Sequence, residues 1–169
     1  GKKLVRMGVD ALVIEGTEAG GHIGPVSTSV LAQEILPVIK DVPVFVAGGI
    51  GRGEAIVSYL EMGASGVQLG TRFVCASESI AHENFKKAFI QANARDAMAS
   101  VQYHPDFPVI PVRAIVNKAS EEFTRFQKET VEKVFGGSQT REEGQLAIEH
   151  FWAGSLRRAV IEGDVERGS

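Results

Sequence analysis

The fold turns on one stretch: Val42-Pro43-Val44-Phe45-Val46-Ala47-Gly48-Gly49-Ile50-Gly51. Val42 to Val46 is a solid apolar run, the pattern of a strand buried on both faces, and it stops at a glycine pair. A helix is predicted from about 53 to 62, with Ile56, Leu60 and Met62 facing inward and Gly63 as the residue that ends it. The same order recurs on either side. Upstream, residues 11–15 (Ala11, Leu12, Val13, Ile14, Glu15) form a strand that runs into a glycine-rich loop from Gly16 to Gly24. Ser27, Thr28 and Ser29 then offer hydroxyls to start a helix over about 28–40. Leu31, Ile35, Leu36 and Ile39 have helical spacing, and Pro37 should bend or shorten the helix. Downstream, Gly66-Val67-Gln68-Leu69-Gly70 is a third short strand, followed by Thr71 and Arg72. A helix near 80–94 carries Phe85, Ala88 and Phe89 on one face. Each unit takes about 20–30 residues, close to a βα repeat. Strands joined through helices must run parallel, which permits either a doubly wound sheet or a barrel.

The remainder reads differently. Residues 100–116 are broken by Pro105, Pro108 and Pro111 and should be extended or looped. A helix over about 119–135 aligns Phe123, Phe126, Val134 and Phe135, and Gly136-Gly137 ends it. Thr140-Arg141-Glu142-Glu143 is a capping box for a last helix over about 141–162, closed by Gly163. The expectation is three βα units followed by a mostly helical segment. The opening, Gly1 to Gly8, reads as the tail of a helix without an initiator Met, and the ending, Gly163 to Ser169, lacks a closing element. The sequence therefore reads as a fragment at both ends.

Composition narrows the function classes. The 169 residues are 44% hydrophobic and 23% charged with a net charge of −3, a core-forming balance with no dense basic block. Nucleic-acid and membrane-surface binding are disfavoured, and no apolar run is long enough to span a bilayer. The lone Cys75 excludes an internal disulfide and a zinc cluster, and it fits a reducing, cytoplasmic setting. His82, His104 and His150 have no metal-ligand spacing, so no metal is expected. Cys75 and Trp152 read as packing residues, and Tyr103 and Phe107 as core or cavity lining.

Chemistry concentrates in the turns after the strands. Gly48 and Gly49 follow one strand, and Gly70 and Thr71 follow the next. Residues without a Cβ let backbone N–H groups approach an anion, and a following helix start adds positive potential. Either turn alone is explained by tight connection. Two in adjacent units favour a phosphate site, the arrangement frequent in the last strand-to-helix loops of (β/α)₈ barrels. Arg72 could assist or be a surface charge. The first loop is more specific, since His22 follows Gly20-Gly21 and imidazole accepts protons near neutral pH. Glu15 could accept a hydrogen bond from a ligand ring, and Glu18 reads equally as a solvated loop charge.

Three segments, Glu18-Ala19-Gly20-Gly21-His22-Ile23-Gly24, Val46-Ala47-Gly48-Gly49-Ile50 and Gly66-Val67-Gln68-Leu69-Gly70-Thr71-Arg72-Phe73, resemble consecutive signatures of the nitronate monooxygenase family, formerly called 2-nitropropane dioxygenases. The same signatures occur in the flavin-dependent enoyl-acyl-carrier-protein reductase branch. The resemblance covers most of the chain and is strongest over residues 8–76. It implies an α/β fold, a partial (β/α)₈ TIM barrel comprising the last three βα units, with strands 6, 7 and 8 at 11–15, 42–46 and 66–69. Residues 1–76 would be the FMN-binding barrel part, and 77–169 a helical cap truncated at its end. The implied FMN contacts come from Glu15, Gly20, Gly21, Gly48, Gly49, Gln68, Leu69, Gly70 and Thr71, where Glu15 stands in place of a Gln common in relatives. His22 is the implied catalytic base. The implied activity is oxidation of a nitronate or nitroalkane with O2, possible in a homo-oligomer, and the fragment alone is expected to be inactive. An enoyl-acyl-carrier-protein reductase, an NAD(P)H:quinone reductase and a non-redox phosphate-binding barrel remain as alternatives.

Overall fold

The computed structural model describes residues 1–168. The chain forms two compact units, Gly1–Phe73 and the chain from Val74 onward.

The first unit runs α1 (Lys2–Arg6), β1 (Leu12–Glu15), β2 (Gly21–His22), α2 (Thr28–Ile35), β3 (Val44–Ala47), α3 (Gly53–Glu61) and β4 (Gly66–Gln68), and α4 (Thr71–Val74) begins at its end. β1, β3 and β4 form a parallel sheet in the order β1-β3-β4, with Leu12 opposite Val44, Ile14 opposite Val46 and Val46 opposite Val67. These alternate residues lie on the face packed by Ala32, Leu36, Ile39 and Ile50. Side chains of this size gain roughly 1.5–3 kcal/mol each on full burial. The opposite face carries Val13, which is 52% exposed, and Phe45.

The periodic signals place the helices well and their ends less well. α2 stops at Ile35 because Pro37 has no N–H to continue the ladder. Leu36 and Ile39 are nonetheless buried beyond its end. In α3, Ala55, Ile56 and Tyr59 pack on the core, whereas Leu60 and Met62 are exposed, against expectation. The core-facing stripe falls one residue earlier than the apolar pattern suggests, and Met62 lies past the last turn. Gly63 ends α3 as expected: at φ +99° it lets its own N–H reach the Leu60 carbonyl at 2.9 Å and the Ala64 N–H reach Tyr59 at 3.0 Å.

The second unit contains α5 (Glu83–Gln91), a 3₁₀ turn (Ala94–Asp96), β5 (Ala97–Ala99), β6 (Val112–Ile115), α6 (Lys118–Phe135), α7 (Arg141–Arg157) and a π-helical turn (Arg158–Glu162). The expected mostly helical segment therefore also holds strands. β5 and β6 pair antiparallel, with Ala97 opposite Ile115 and Ala99 opposite Arg113. The three prolines confine disruption to the loop before Val112, where Phe107 is buried and anchors the turn. Phe107, Val112, Phe123, Val131, Ile148 and Trp152 make the core. The Phe123 and Trp152 rings lie 4.6 Å apart, and Phe126 stacks on Phe151 at 5.2 Å. Phe135 is exposed, resting against His104 at 4.5 Å instead of joining the stripe. Both halves of the Thr140–Glu143 capping box are made, at 3.2 and 2.8 Å.

Candidate cofactor and active site

Parallel register sets three residues abreast at the carboxyl edge of the sheet: Glu15, Ala47 and Gln68. The chain after each strand must leave from that edge. One edge thus gathers the loop with Gly20, Gly21 and His22, the turn with Gly48 and Gly49, and the turn of Leu69, Gly70 and Thr71.

The first loop has a closed base, and β2 (Gly21–His22) follows it. Gly16 N donates to Thr28 Oγ1 at 3.2 Å, and Thr17 N donates to the Val26 carbonyl at 2.9 Å. Glu18 Oε2 accepts from Thr28 N at 2.8 Å, from Thr28 Oγ1 at 3.0 Å and from Thr17 Oγ1 at 3.0 Å. The Ser27 hydroxyl makes no capping bond, so a carboxylate ten residues upstream of Thr28 serves the start of α2. Partial burial pushes the Glu18 carboxyl up. The hydrogen bonds from the Thr28 amide, the Thr17 and Thr28 hydroxyls and its own amide outweigh this and hold it below the ordinary range. Burial, followed by the Glu18 charge, pushes the Tyr59 phenol up. His22 is exposed, while its neighbour Ile23 is buried.

The second turn rests on the first loop. Gly48 and Gly49 have φ of +96° and +70°. A Cβ at Gly48 would sit 2.8 Å from Ala19 N, and one at Gly49 would sit 3.0 Å from Glu18 Cβ. Glycine is required here by close approach as well as by backbone sign. Gly20, Gly21, Gly51, Gly53 and Gly70 differ, since a Cβ at any of them would meet nothing within 4 Å. At these five positions the side of the backbone where a side chain would stand is open. α3 begins behind the second turn with no side-chain cap on its N-terminus, and Arg52 pairs instead with Glu54 at 3.4 Å. Turns open on their glycine side and an uncapped helix start are the kind of donor set that a phosphate takes. In the third turn the Leu69 side chain packs on the core, leaving its backbone for any ligand contact. Glu15, Gln68, Gly70, Thr71 and Arg72 are exposed.

Sequence reading missed the Glu18 clamp and the tight packing of Gly16, whose Cβ would fall 2.3 Å from Thr28 N. A threonine at the helix start after a loop glutamate was the available signal. Cys75 is half-buried, with Sγ 4.0 Å from the Lys86 carbonyl. Among the described residues no group of three or more His, Cys, Asp or Glu could hold a metal. No helix among them is long and apolar enough to cross a membrane.

Comparison with known proteins adds a family context. The family model described as nitronate monooxygenase matches residues 1–168. A probable nitronate monooxygenase of Bacillus subtilis (strain 168) is 31% identical over 170 residues, covering 92% of this chain and 48% of that protein. The structure of FabK from Thermotoga maritima aligns with TM-score 0.77 at 34% identity, covering 99% of this chain and 48% of that one. Nitroalkane oxidase from Streptomyces ansochromogenes aligns with TM-score 0.69 at 25% identity, covering 99% and 46%. The chain spans about half the length of these relatives.

Proposed function

The chain belongs to the nitronate monooxygenase family, and from that premise we propose that it supplies the flavin-phosphate turns and the catalytic base of an FMN-dependent oxidoreductase that oxidises nitronates or nitroalkanes with O2. The observation that carries this reading is the gathering of three glycine-bearing turns at one edge of a parallel sheet. In the whole protein the sheet β1-β3-β4 is the last part of a (β/α)₈ barrel, and its uncovered face, with Val13 and Phe45, turns inward. This chain alone does not turn over substrate, because the remaining strands complete the pocket.

Backbone N–H groups at Gly48, Gly49, Gly70 and Thr71 would hold the phosphate, and the α3 N-terminus would add positive potential. Gly20 and Gly21 would let a flat ring lie against the backbone, and Glu15 and Gln68 would be available to contact it. The chemistry that FMN supplies when bound is electron transfer from the nitronate to O2. The chain's own part is proton handling: the His22 imidazole accepts the proton from the carbon bearing the nitro group, leaving the nitronate.

The absorption spectrum of the full-length protein tests the cofactor, and a missing flavin band rejects it. His22→Asn should retain FMN and lose nitroalkane oxidation by about 10²–10⁴-fold, with nitronate oxidation affected less. Unchanged nitroalkane turnover removes His22 as the base. The likeness to FabK supports a second reading, an enoyl-acyl-carrier-protein or NAD(P)H:quinone reductase. Rapid anaerobic bleaching by NAD(P)H, with no response to nitronate, selects it.

A further inference from the structure

We propose that Glu18 is a positioning residue that ties the His22 loop to the Gly48–Gly49 turn, so that one carboxylate sets both the proton acceptor and the phosphate cradle. The inference rests on the reading of those two segments given above.

A loop glutamate ordinarily extends into water, where its conformation governs little. Glu18 is held by three donors from two residues, Thr17 and Thr28. Thr28 is almost wholly buried, and its hydroxyl also accepts from Gly16 N. Gly16, Glu18 and Thr28 therefore close a ring at the foot of the loop. The ring fixes the Glu18–Ala19 peptide, and Ala19 is only 2% exposed. On one side that peptide leads directly into Gly20, Gly21 and His22. On the other, the second turn sits against this residue pair: a Cβ at Gly48 would fall 2.8 Å from Ala19 N, and one at Gly49 would fall 3.0 Å from Glu18 Cβ. The glycine backbones approach this pair too closely to admit a side chain between them, so a displacement of Glu18 reaches both. Neither role follows from capping α2 alone.

Capping and positioning separate in the full-length protein with three variants: E18A, E18Q and E18A combined with S27D. The last places a carboxylate at the normal N-cap position of α2 without restoring the ring. In E18A the FMN dissociation constant, followed by flavin fluorescence on apo-protein, should rise by about tenfold, the scale of one lost charge-assisted hydrogen bond. Nitroalkane turnover should fall more than nitronate turnover. E18Q, which keeps the shape and one acceptor oxygen, should lie between. S27D should return the melting temperature of E18A toward wild type and leave both other defects in place. Hydrogen exchange in apo-protein should quicken at residues 47–52 as well as 16–28 in E18A. Recovery of FMN affinity and of the turnover ratio together with the melting temperature would reduce Glu18 to a cap and overturn the proposal. Unaltered exchange at 47–52 would do the same. Wild-type protein that binds no FMN defeats the functional reading instead, and the exchange experiment still decides the coupling.

Discussion

The two units start their helices in opposite ways. From Val74 onward, helices carry their own caps: His82 Nδ1 accepts from Asn84 N, Asn117 from Ser120 N and Thr140 from Glu143 N. In Gly1–Phe73 neither Ser27 nor Arg52 caps the helix that follows it. The orphan N–H groups of a helix start need partners. Where the chain supplies them locally, the helix end is closed to anything else. Where it does not, a distant group serves, as Glu18 does for α2, or the end is left for a ligand, as proposed for α3. The contrast separates helices that close their own starts from helices whose starts depend on something outside them.

The sharpest break of this contrast is in the second unit's core. Phe123→Ala removes the ring between Phe151 and Trp152 and should cost ~3–5 kcal/mol in denaturant unfolding. A loss under about 1 kcal/mol would mean that the aromatic cluster does not hold α6 to α7. A smaller, paired effect tests the caps. Thr140→Ala should cost about 1 kcal/mol, while Ser27→Ala should stay within about 0.5 kcal/mol because its hydroxyl caps nothing. Equal losses would erase the distinction between the units. The least effect is on acid stability. Glu18 and Glu143 both have folded values below the ordinary 4.5, so the unfolded chain binds more protons between the two values. Their contribution is whole above about pH 4.5 and is lost as pH falls through the lowered folded values. Melting temperature measured downward from pH 6 should therefore fall less steeply in E143Q than in wild type.

Much of this was legible because it is local. The solid apolar runs at 12–14 and 44–47, the stop at Pro37, the Gly63 ending and the Thr140–Glu143 box each depend on residues within a turn or two. The strand pair of Ala97–Ala99 with Val112–Ile115 was not legible, because short strands separated by a proline-broken loop carry no period of their own. Leu60 failed for a related reason: hydrophobicity does not say which side of a stripe is filled when Tyr59 can fill it. Within the candidate site, glycines and His22 stood out by type. Glu18 did not, since its meaning lies in Thr28 and Gly49 and neither is its neighbour in sequence.

Asn117 joins two distant stretches through one carboxamide. Its oxygen receives Ser120 N, while its nitrogen donates to the carbonyls of Val165 and Gly168 at 2.9 and 2.8 Å. Lys118 and Ala119 add an ion pair and a backbone bond to Glu166. Fraying of residues 164–168 and loosening of the first turn of α6 are consequently a single opening event. Protease nicking near Asp164 would be felt first at residue 118.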